Sequence, residues 1–128
     1  INIELQAQES EVFNTTKSEG SFDLLRYSWT ADFDDPINYL SMFVSTSSLN
    51  FNHVNDAEYD DAVASANTTL DQEERNTYLH DAEKILVDDN FYIIPVTTMH
   101  YIGLRKPDIT GVTYDGTGLT LYRYADRG

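Results

Sequence analysis

Chemically useful side chains are concentrated between residues 26 and 36 of the sequence. This stretch contains an arginine, the only tryptophan of the chain and three aspartates, at positions 32, 34 and 35. An arginine can pair with an anion, a carboxylate can accept hydrogen bonds from a cation, and an indole ring offers an apolar surface with one donor. Binding or chemistry on a small polar molecule is therefore expected first at this stretch.

The residues around this stretch predict a strand, a turn and a helix. Residues 22–29 carry large apolar and aromatic side chains on both parities, which is typical of an inner strand of a mixed sheet. Asp35 precedes a proline, and a proline suits the first position of a helix, so Asp35 is predicted to be the N-cap. Helical spacing then continues through Ile37, Leu40 and Val44.

The predicted strand, turn and helix give the three aspartates different roles. Asp35 is explained as a cap, and Asp34 as a carboxylate near the positive end of a helix dipole. Asp32 has no such local role. It is expected just past the carboxyl end of a strand, where open α/β sheets bind their ligands. A solvated loop aspartate is the alternative that the residues alone leave open.

Composition limits the classes of partner. With 128 residues, of which 41% are hydrophobic, the chain is expected to form one globular domain. The formal net charge is -14, from 22 acids against 8 Lys and Arg, and the cations are not clustered. This charge argues against a nucleic-acid partner and against an anionic membrane surface. The absence of cysteine excludes disulfides, thiolate metal sites and a cysteine nucleophile.

The rest of the chain predicts alternating strands and helices. A period-two pattern at residues 1–7 and a helical stretch at 10–19 form, with the strand at 22–29, a predicted βαβ unit. Capping boxes at Asn55 and Asp71 predict two longer helices. Strands are predicted at 91–97 and 101–104, followed by short strands and turns from Gly111 onwards.

Catalytic and metal signatures are weak. His53, His80 and His100 lack the spacing of a metal motif and are predicted to be surface or packing residues. The sequence has no GxSxG elbow or SxxK pair and no complete calcium loop. A pair of acids could serve a glycoside hydrolase, but a chain with 22 acids always offers such pairs. We therefore predict no catalysis, no metal and no cofactor.

The order of several motifs resembles one known family. The runs from Gly20 to Asp23 and from Trp29 to Pro36 resemble the "G-x-F-D … W-x-A-D-Y-x-D-P" signature of the oligopeptide-binding proteins that serve ABC importers, the family 5 solute-binding proteins. Further pieces follow in the order and spacing of the family. They are Asn50, Glu58 to Asp60, Glu74-Arg75, Ala82 to Leu86, Ile94 to Val96, and Leu104 to Pro107 with Gly111.

The resemblance implies an α/β fold with a mixed sheet and flanking helices, as one lobe of a two-lobed periplasmic-binding-protein-like (type II) fold. Family members are several times longer than this chain, which matches their C-terminal part. Residues 1–111 are then expected to belong to the second lobe, and residues 112–128 to be a tail that returns to the first lobe. The implied setting is extracytoplasmic, either periplasmic or lipid-anchored on the outer face of the cell membrane, with a membrane permease and an oligopeptide as partners.

The resemblance also implies roles for individual residues. Asp32 matches the aspartate that pairs with the α-ammonium of the peptide, and a water-poor cleft would strengthen that pair. Trp29 matches a tryptophan that lines side-chain pockets, and Thr30 lies where the peptide main chain pairs as an added strand. Arg26 matches an arginine that can meet the carboxylate of short peptides, with a surface ion pair as its alternative. Lys17 stands where some members have a pocket-lining arginine.

The substrate stays open within the family. Phe33 replaces the more usual tyrosine, and other members bind nickel, haem, sugars or peptide pheromones on the same scaffold. The main alternative is therefore a receptor for one of these ligands. Outside the family, a module that binds a protein partner and a carboxylate-pair hydrolase are the other hypotheses.

Overall fold

The computed structural model describes residues 2–99 and 102–128, and within them it contains four α-helices and four short strands. None of these helices is both long enough and apolar enough to cross a membrane. The α-helices are α1 (Ser10–Glu19), α2 (Ile37–Leu40), α3 (Ala57–Thr68) and α4 (Gln72–Lys84). The strands are β1 (Ile109–Thr110), β2 (Thr113–Tyr114), β3 (Thr120–Leu121) and β4 (Asp126–Arg127).

The hydrophobic core is formed by α2, α3, α4 and the turn that follows α4. A 3₁₀ turn, Ser41–Phe43, extends α2, and a π-helical turn, Ile85–Asp89, extends α4. Apolar residues at helical spacing face one another across these elements, as the sequence pattern predicts. The buried cluster consists of Ile37, Leu40, Tyr59, Val63, Ala66, Leu79, Ala82 and Leu86.

The N-termini of the two long helices have aspartate caps. Asp71 accepts hydrogen bonds from the amides of Glu73 and Glu74, which confirms the predicted cap of α4. The cap of α3 is Asp56 and not the predicted Asn55, because the Asp56 carboxylate accepts from the amides of Glu58 and Tyr59 at 3.0 and 3.1 Å. The prediction was wrong by one residue.

Asp56 also ties the chain after α4 to the start of α3. Its second carboxylate oxygen accepts hydrogen bonds from the side chains of Asn90 and Tyr92, at 3.1 and 3.3 Å. The side-chain amide of Asn52 donates to the backbone carbonyl of Tyr92 at 2.7 Å. An aspartate at this position can satisfy the helix amides and two further donors together, whereas a neutral asparagine has a single acceptor oxygen.

The two sheets are antiparallel and have two strands each. Strand β1 pairs with β4, with Ile109 opposite Arg127, and β2 pairs with β3, with Thr113 opposite Leu121. The α/β class and the short strands and turns near the C-terminus are thereby confirmed. The predicted mixed sheet is replaced by these two small ladders.

The longer predicted strands do not form ladders within the described residues. Segments 2–7, 22–29, 91–97 and 102–104 run without strand pairing, so the predicted βαβ unit was wrong. Ile1, His100 and Tyr101, which belonged to these and other predictions, lie outside the described residues. Leu5, Val96 and Leu104 are 93%, 88% and 101% exposed. The apolar pattern of a buried strand is present, but the described residues supply no neighbouring strand to accept its hydrogen bonds.

Candidate functional site

The segment from Trp29 to Pro36, called here the aspartate loop, leads into α2 and contains three of the four predicted ligand residues, Trp29, Thr30 and Asp32. A side-chain hydrogen bond holds the start of this loop, because the Trp29 indole nitrogen donates to Oδ1 of Asn38 at 3.0 Å. Asn38 lies in α2 and is 7% exposed, so its amide cannot exchange this partner freely for water. Trp29 itself is half-buried.

Asp35 fixes the other end of the aspartate loop. Its Oδ1 accepts from the amide of Ile37 at 2.9 Å, which confirms the predicted capping role at the start of α2. The same oxygen accepts from Nη2 of Arg75 at 2.9 Å. Arg75 also donates through Nε to the carbonyl of Ala66 at 3.1 Å. The arginine thus joins the loop to the end of α3 from its own position on α4.

This ion pair changes the protonation of Asp35. The hydrogen bond from the Arg75 guanidinium lowers the pKa of the Asp35 carboxyl below its ordinary value of 3.8, against the opposing effect of partial burial. The side chains of Arg75 and Asp35 are 20% and 29% exposed, so solvent screens the pair only in part. Sequence spacing could not assign Arg75 to this carboxylate, because the two residues are 40 positions apart.

Asp32 lies between the two fixed ends. Its side chain is exposed, and it makes no hydrogen bond and no ion pair in the part of the chain that the structure describes. The expected strand before it is absent, so Asp32 belongs to a loop and not to a strand end. The carboxylate is therefore free to accept hydrogen bonds from a ligand, and its backbone is held within a short loop with two anchors.

Thr30 and Arg26 are also exposed. The Thr30 amide and carbonyl make no backbone hydrogen bond among residues 2–99 and 102–128. The Arg26 guanidinium makes no ion pair within the same ranges, so the predicted alternative of a surface ion pair is not observed there. Trp29, Thr30 and Asp32 share the aspartate loop, whereas Arg26 lies before it and makes no hydrogen bond or ion pair to the other three within the described residues.

A group of aromatic rings adjoins Trp29, and sequence analysis did not predict it. The Tyr27 ring lies 6.4 Å from the Trp29 ring and meets the Phe51 ring edge-on at 6.1 Å, both between centroids. The Lys17 ammonium is 4.9 Å from the Tyr27 centroid and 4.6 Å from that of Phe51. These distances suit aromatic and cation–π contacts. Phe51 comes from the polar loop after α2, so no local pattern linked it to Tyr27.

An open pocket of about 480 Å³ adjoins this aromatic group through Phe51. Six of its nine lining residues carry a hydroxyl or amide group. The wall is formed by Ser18, Ser45, Ser47, Ser48, Asn50, Phe51, His53, Val54 and Asn55.

The turn between β2 and β3 contacts the aspartate loop. A β-carbon placed on Gly116 would lie 1.8 Å from Oδ2 of Asp34, so a larger residue at this position would require the Asp34 side chain to move. Asp115 organises the turn itself, because its Oδ1 accepts from Thr117 and from the amide of Leu119. These hydrogen bonds lower the pKa of the Asp115 carboxyl. The Asp34 carboxylate therefore has a packing contact besides its position before α2.

Metal ligands do not gather in the described residues. Among residues 2–99 and 102–128, no three side chains of the types His, Cys, Asp and Glu are placed to hold an ion. His80 is exposed and lies 3.6 Å from a Glu83 carboxylate oxygen. His53 is exposed and packs against Gly20, as expected for a surface or packing histidine.

Relatives were found among curated proteins, although no family model matches the chain. The chain is 34% identical over 88 residues to the periplasmic murein peptide-binding protein MppA of Escherichia coli (strain K12), which covers 69% of the chain and 16% of that protein. It is 32% identical over 115 residues to the periplasmic oligopeptide-binding protein OppA of the same strain, covering 88% of the chain and 21% of that protein. A probable deoxycholate-binding periplasmic protein of that strain, YgiS, is 28% identical over 109 residues, covering 85% of the chain and 20% of that protein.

A solved structure has the same local fold. The unliganded open form of MppA, the murein tripeptide-binding protein, superposes with a TM-score of 0.66 and 35% identity. The match covers 67% of this chain and 17% of that chain. The chain thus corresponds to a limited segment of its longer relatives, with helices and small sheets that match one lobe of a periplasmic-binding-protein fold, as predicted. The relatives are named as binding proteins and not as enzymes, which agrees with the prediction of no catalysis.

Proposed function

This chain is homologous to one segment of the extracytoplasmic oligopeptide-binding proteins, the family 5 solute-binding proteins, and we propose on that basis that it is the peptide-contacting part of an ABC importer receptor. The receptor binds extended oligopeptides in a cleft between two lobes. The single observation that carries the proposal is the aspartate loop. It presents the Asp32 carboxylate, which has no partner among the described residues, on a backbone held at Trp29 and Asp35. A peptide with a free N-terminus supplies the cation that such a carboxylate accepts.

Asp32 is the proposed anchor for the peptide ammonium. An anchor has to be available before the ligand arrives, and the exposed Asp32 has no protein partner among the described residues. It also has to be preorganised, because ordering a loop on binding subtracts from affinity. The Asn38 and Arg75 contacts at the two ends of the loop support this preorganisation. When a closing cleft removes water, the ammonium–carboxylate pair gains in strength.

Trp29 and Thr30 are proposed to hold the first residues of the peptide. The Trp29 ring is half-buried and fixed through its nitrogen, so one side of the ring can serve as an apolar wall. The unpaired amide and carbonyl of Thr30 suit pairing with a peptide main chain. Main-chain pairing depends little on side chains, which accounts for binding of many peptide sequences.

Arg26 is proposed to meet the carboxylate of short peptides. Its exposed guanidinium can bind a carboxylate through two parallel hydrogen bonds. It is one of only 8 Lys and Arg in a chain with 22 acids, so unpaired cations suited to an anionic group are scarce. Within the described residues, no carboxylate forms an ion pair with the Arg26 guanidinium.

The wider organisation follows from the same proposal. Residues 1–111 belong to the second lobe, and residues 112–128 return to the first lobe. The segments without strand pairing carry exposed apolar side chains, such as Leu5, Val96 and Leu104. In this proposal, other parts of a longer protein cover these side chains. The receptor is extracytoplasmic, either periplasmic or lipid-anchored, and delivers its peptide to a membrane permease.

A non-peptide solute is the second candidate. The relative named as a probable deoxycholate-binding protein is the observation that favours it, because its similarity extends over 85% of this chain. Deoxycholate has no ammonium, so such a ligand would use the apolar face of Trp29 and leave Asp32 without a role. The two candidates therefore differ in their need for the Asp32 charge.

Calorimetric titration of the Asp32→Asn variant tests the proposal. With a tripeptide that has a free N-terminus, we expect a loss of about 2 kcal/mol or more of binding free energy, because one member of a desolvated charge pair is removed. Asp23→Asn is the matched control, since Asp23 is an exposed aspartate of the same region and removes the same charge. Equal losses in both variants would contradict the anchor. Deoxycholate binding that neither variant changes, without peptide binding, would favour the second candidate.

A further inference from the structure

We propose that Lys17 is a positioning residue that holds Tyr27, and through it Trp29, in the orientation used for binding. The inference rests on the proposed function in assigning Trp29 to the ligand site. The Lys17 ammonium lies in the angle between two rings, 4.9 Å from the Tyr27 centroid and 4.6 Å from the Phe51 centroid. The two rings meet edge-on, so one cation contacts both faces that form the angle.

The partners of the Lys17 ammonium are aromatic rings and not a carboxylate. Carboxylates are abundant in the chain, with 22 acids against 8 Lys and Arg. Lys84 and Arg127 each bind an aspartate, at 2.6 and 2.8 Å. Within the described residues, the Lys17 ammonium makes no ion pair and remains with the rings. The aromatic contact is therefore the interaction that fixes this side chain.

Lys17 also contributes to the attachment of α1. No side chain of this helix is fully buried or belongs to the hydrophobic core cluster, although Phe13, Thr16 and Lys17 are half-buried. Its C-terminal end is seated against the loop after α2, because a β-carbon on Gly20 would lie 2.5 Å from Nε2 of His53. Phe13, one turn before Lys17, adds a ring 6.0 Å from the ammonium. Lys17 thus joins α1 to Phe51 and Tyr27 together.

The contact reaches the ligand site through Tyr27. The Tyr27 ring is 6.4 Å from the Trp29 ring, with an angle of 36° between the planes. Among the described residues, the Trp29 indole has a hydrogen bond to Asn38 at one edge and the Tyr27 ring beside it. Loss of the Lys17 charge removes the cation–π contact to Tyr27 and leaves that ring with its edge-on contact to Phe51, so the support that Tyr27 gives to Trp29 weakens. The indole ring can then sample orientations that expose more of it to solvent.

The test uses Trp29 as its own probe, because it is the only tryptophan. In Lys17→Met, which keeps the length of the side chain, we expect increased acrylamide quenching of Trp29 fluorescence in the protein without peptide. Peptide affinity is expected to fall about two- to fivefold, the range that a cation–π contact at a partly exposed site supports. Lys17→Arg keeps the cation and should restore both values. Lys106→Met is the matched control, since Lys106 is exposed and removes the same charge.

Each outcome decides the inference. Quenching in Lys17→Met that equals that of Lys106→Met would overturn the positioning role, whatever the peptide affinities are. If Lys17→Met fails to fold, Phe51→Leu, which removes the second ring without touching the lysine, replaces it. Quenching above that of Lys106→Met then supports the role, and equal quenching overturns it. If quenching changes as expected but no variant, including the unaltered chain, binds peptide, the positioning role stands and the proposed function fails.

Discussion

The extended segments of this chain are richer in apolar residues than the helical unit, but their surroundings differ. In the helical unit, formed by α2, α3, α4 and the turn after α4, Tyr59 and Leu86 are fully buried. In the extended segments, 2–7, 22–29, 91–99 and 102–104, residues such as Leu5 and Leu104 are almost completely exposed. The difference arises because the backbone hydrogen bonds of a helix form within the helix, whereas those of a strand require a neighbouring strand.

The aspartate loop belongs to neither group, since it is irregular but held by the helical unit. Two side-chain contacts, from Trp29 to Asn38 and from Asp35 to Arg75, fix it to α2 and α4. A loop held in this way can keep an exposed carboxylate in a constant place without a sheet beneath it. The stability of the helical unit and the geometry of the candidate site are therefore linked.

The largest change in the free energy of unfolding is expected for a substitution in the helical unit, and a much smaller one for the same substitution in an extended segment. Leu86→Ala should lower the free energy of unfolding by about 2–5 kcal/mol, because it leaves a cavity in the core. Leu104→Ala, the same change at a side chain that is 101% exposed, should change it by less than about 0.5 kcal/mol. Urea unfolding followed by circular dichroism measures both values. A loss of similar size in Leu104→Ala would show that the extended segments are packed in solution.

The next effect concerns the Asp35–Arg75 pair and depends on pH. Because the pKa of Asp35 is lowered in the folded state, its charge stabilises the protein above the ordinary value of 3.8, and this contribution is lost as pH falls through the lowered folded pKa. Asp35→Asn keeps a capping oxygen but not the charge, so it should be less stable than the unaltered chain by about 1 kcal/mol at pH 7. Below the folded pKa the difference should disappear. A difference that stays constant as pH falls from 7 through the lowered folded pKa of Asp35 would contradict the ion-pair account.

The smallest effect concerns Asp32, which belongs to the same loop as Asp35. Asp32→Asn should change the free energy of unfolding by less than about 0.5 kcal/mol, because the exposed carboxylate makes no protein contact in the described residues. Chemical unfolding at pH 7 compares it directly with Asp35→Asn. A loss as large as that of Asp35→Asn would give Asp32 a structural role and weaken its assignment to a ligand.

The helices were predictable from the sequence because their signals are local. The apolar spacing of α3 and α4, the Asp71 cap and the closing Gly20 of α1 all lie within a few residues of the feature that they specify. The cap of α3 was assigned one residue too early. Both Asn55 and Asp56 suit a cap, and the choice of Asp56 is favoured by Asn90 and Tyr92, which come from a distant part of the chain.

The strands and the supports of the site were not predictable in the same way. Residues 22–29 have the composition of a buried strand, but composition does not supply the neighbour that a strand requires. The contacts that fix the aspartate loop join Trp29 to Asn38 and Asp35 to Arg75, and the second spans 40 positions. The ligand residues themselves were predicted from the family resemblance, and their roles remain predictions.

The central claim is that Asp32 binds the ammonium of a peptide. An NMR titration of backbone amides with a pool of short peptides, free at the N-terminus, against the same pool N-acetylated tests it most directly. We expect changes in amide chemical shift concentrated from Arg26 to Asp32 that fade when the peptide is acetylated, because the acetylated peptide has lost its cation. Equal shifts from Arg26 to Asp32 with both pools would contradict the claim.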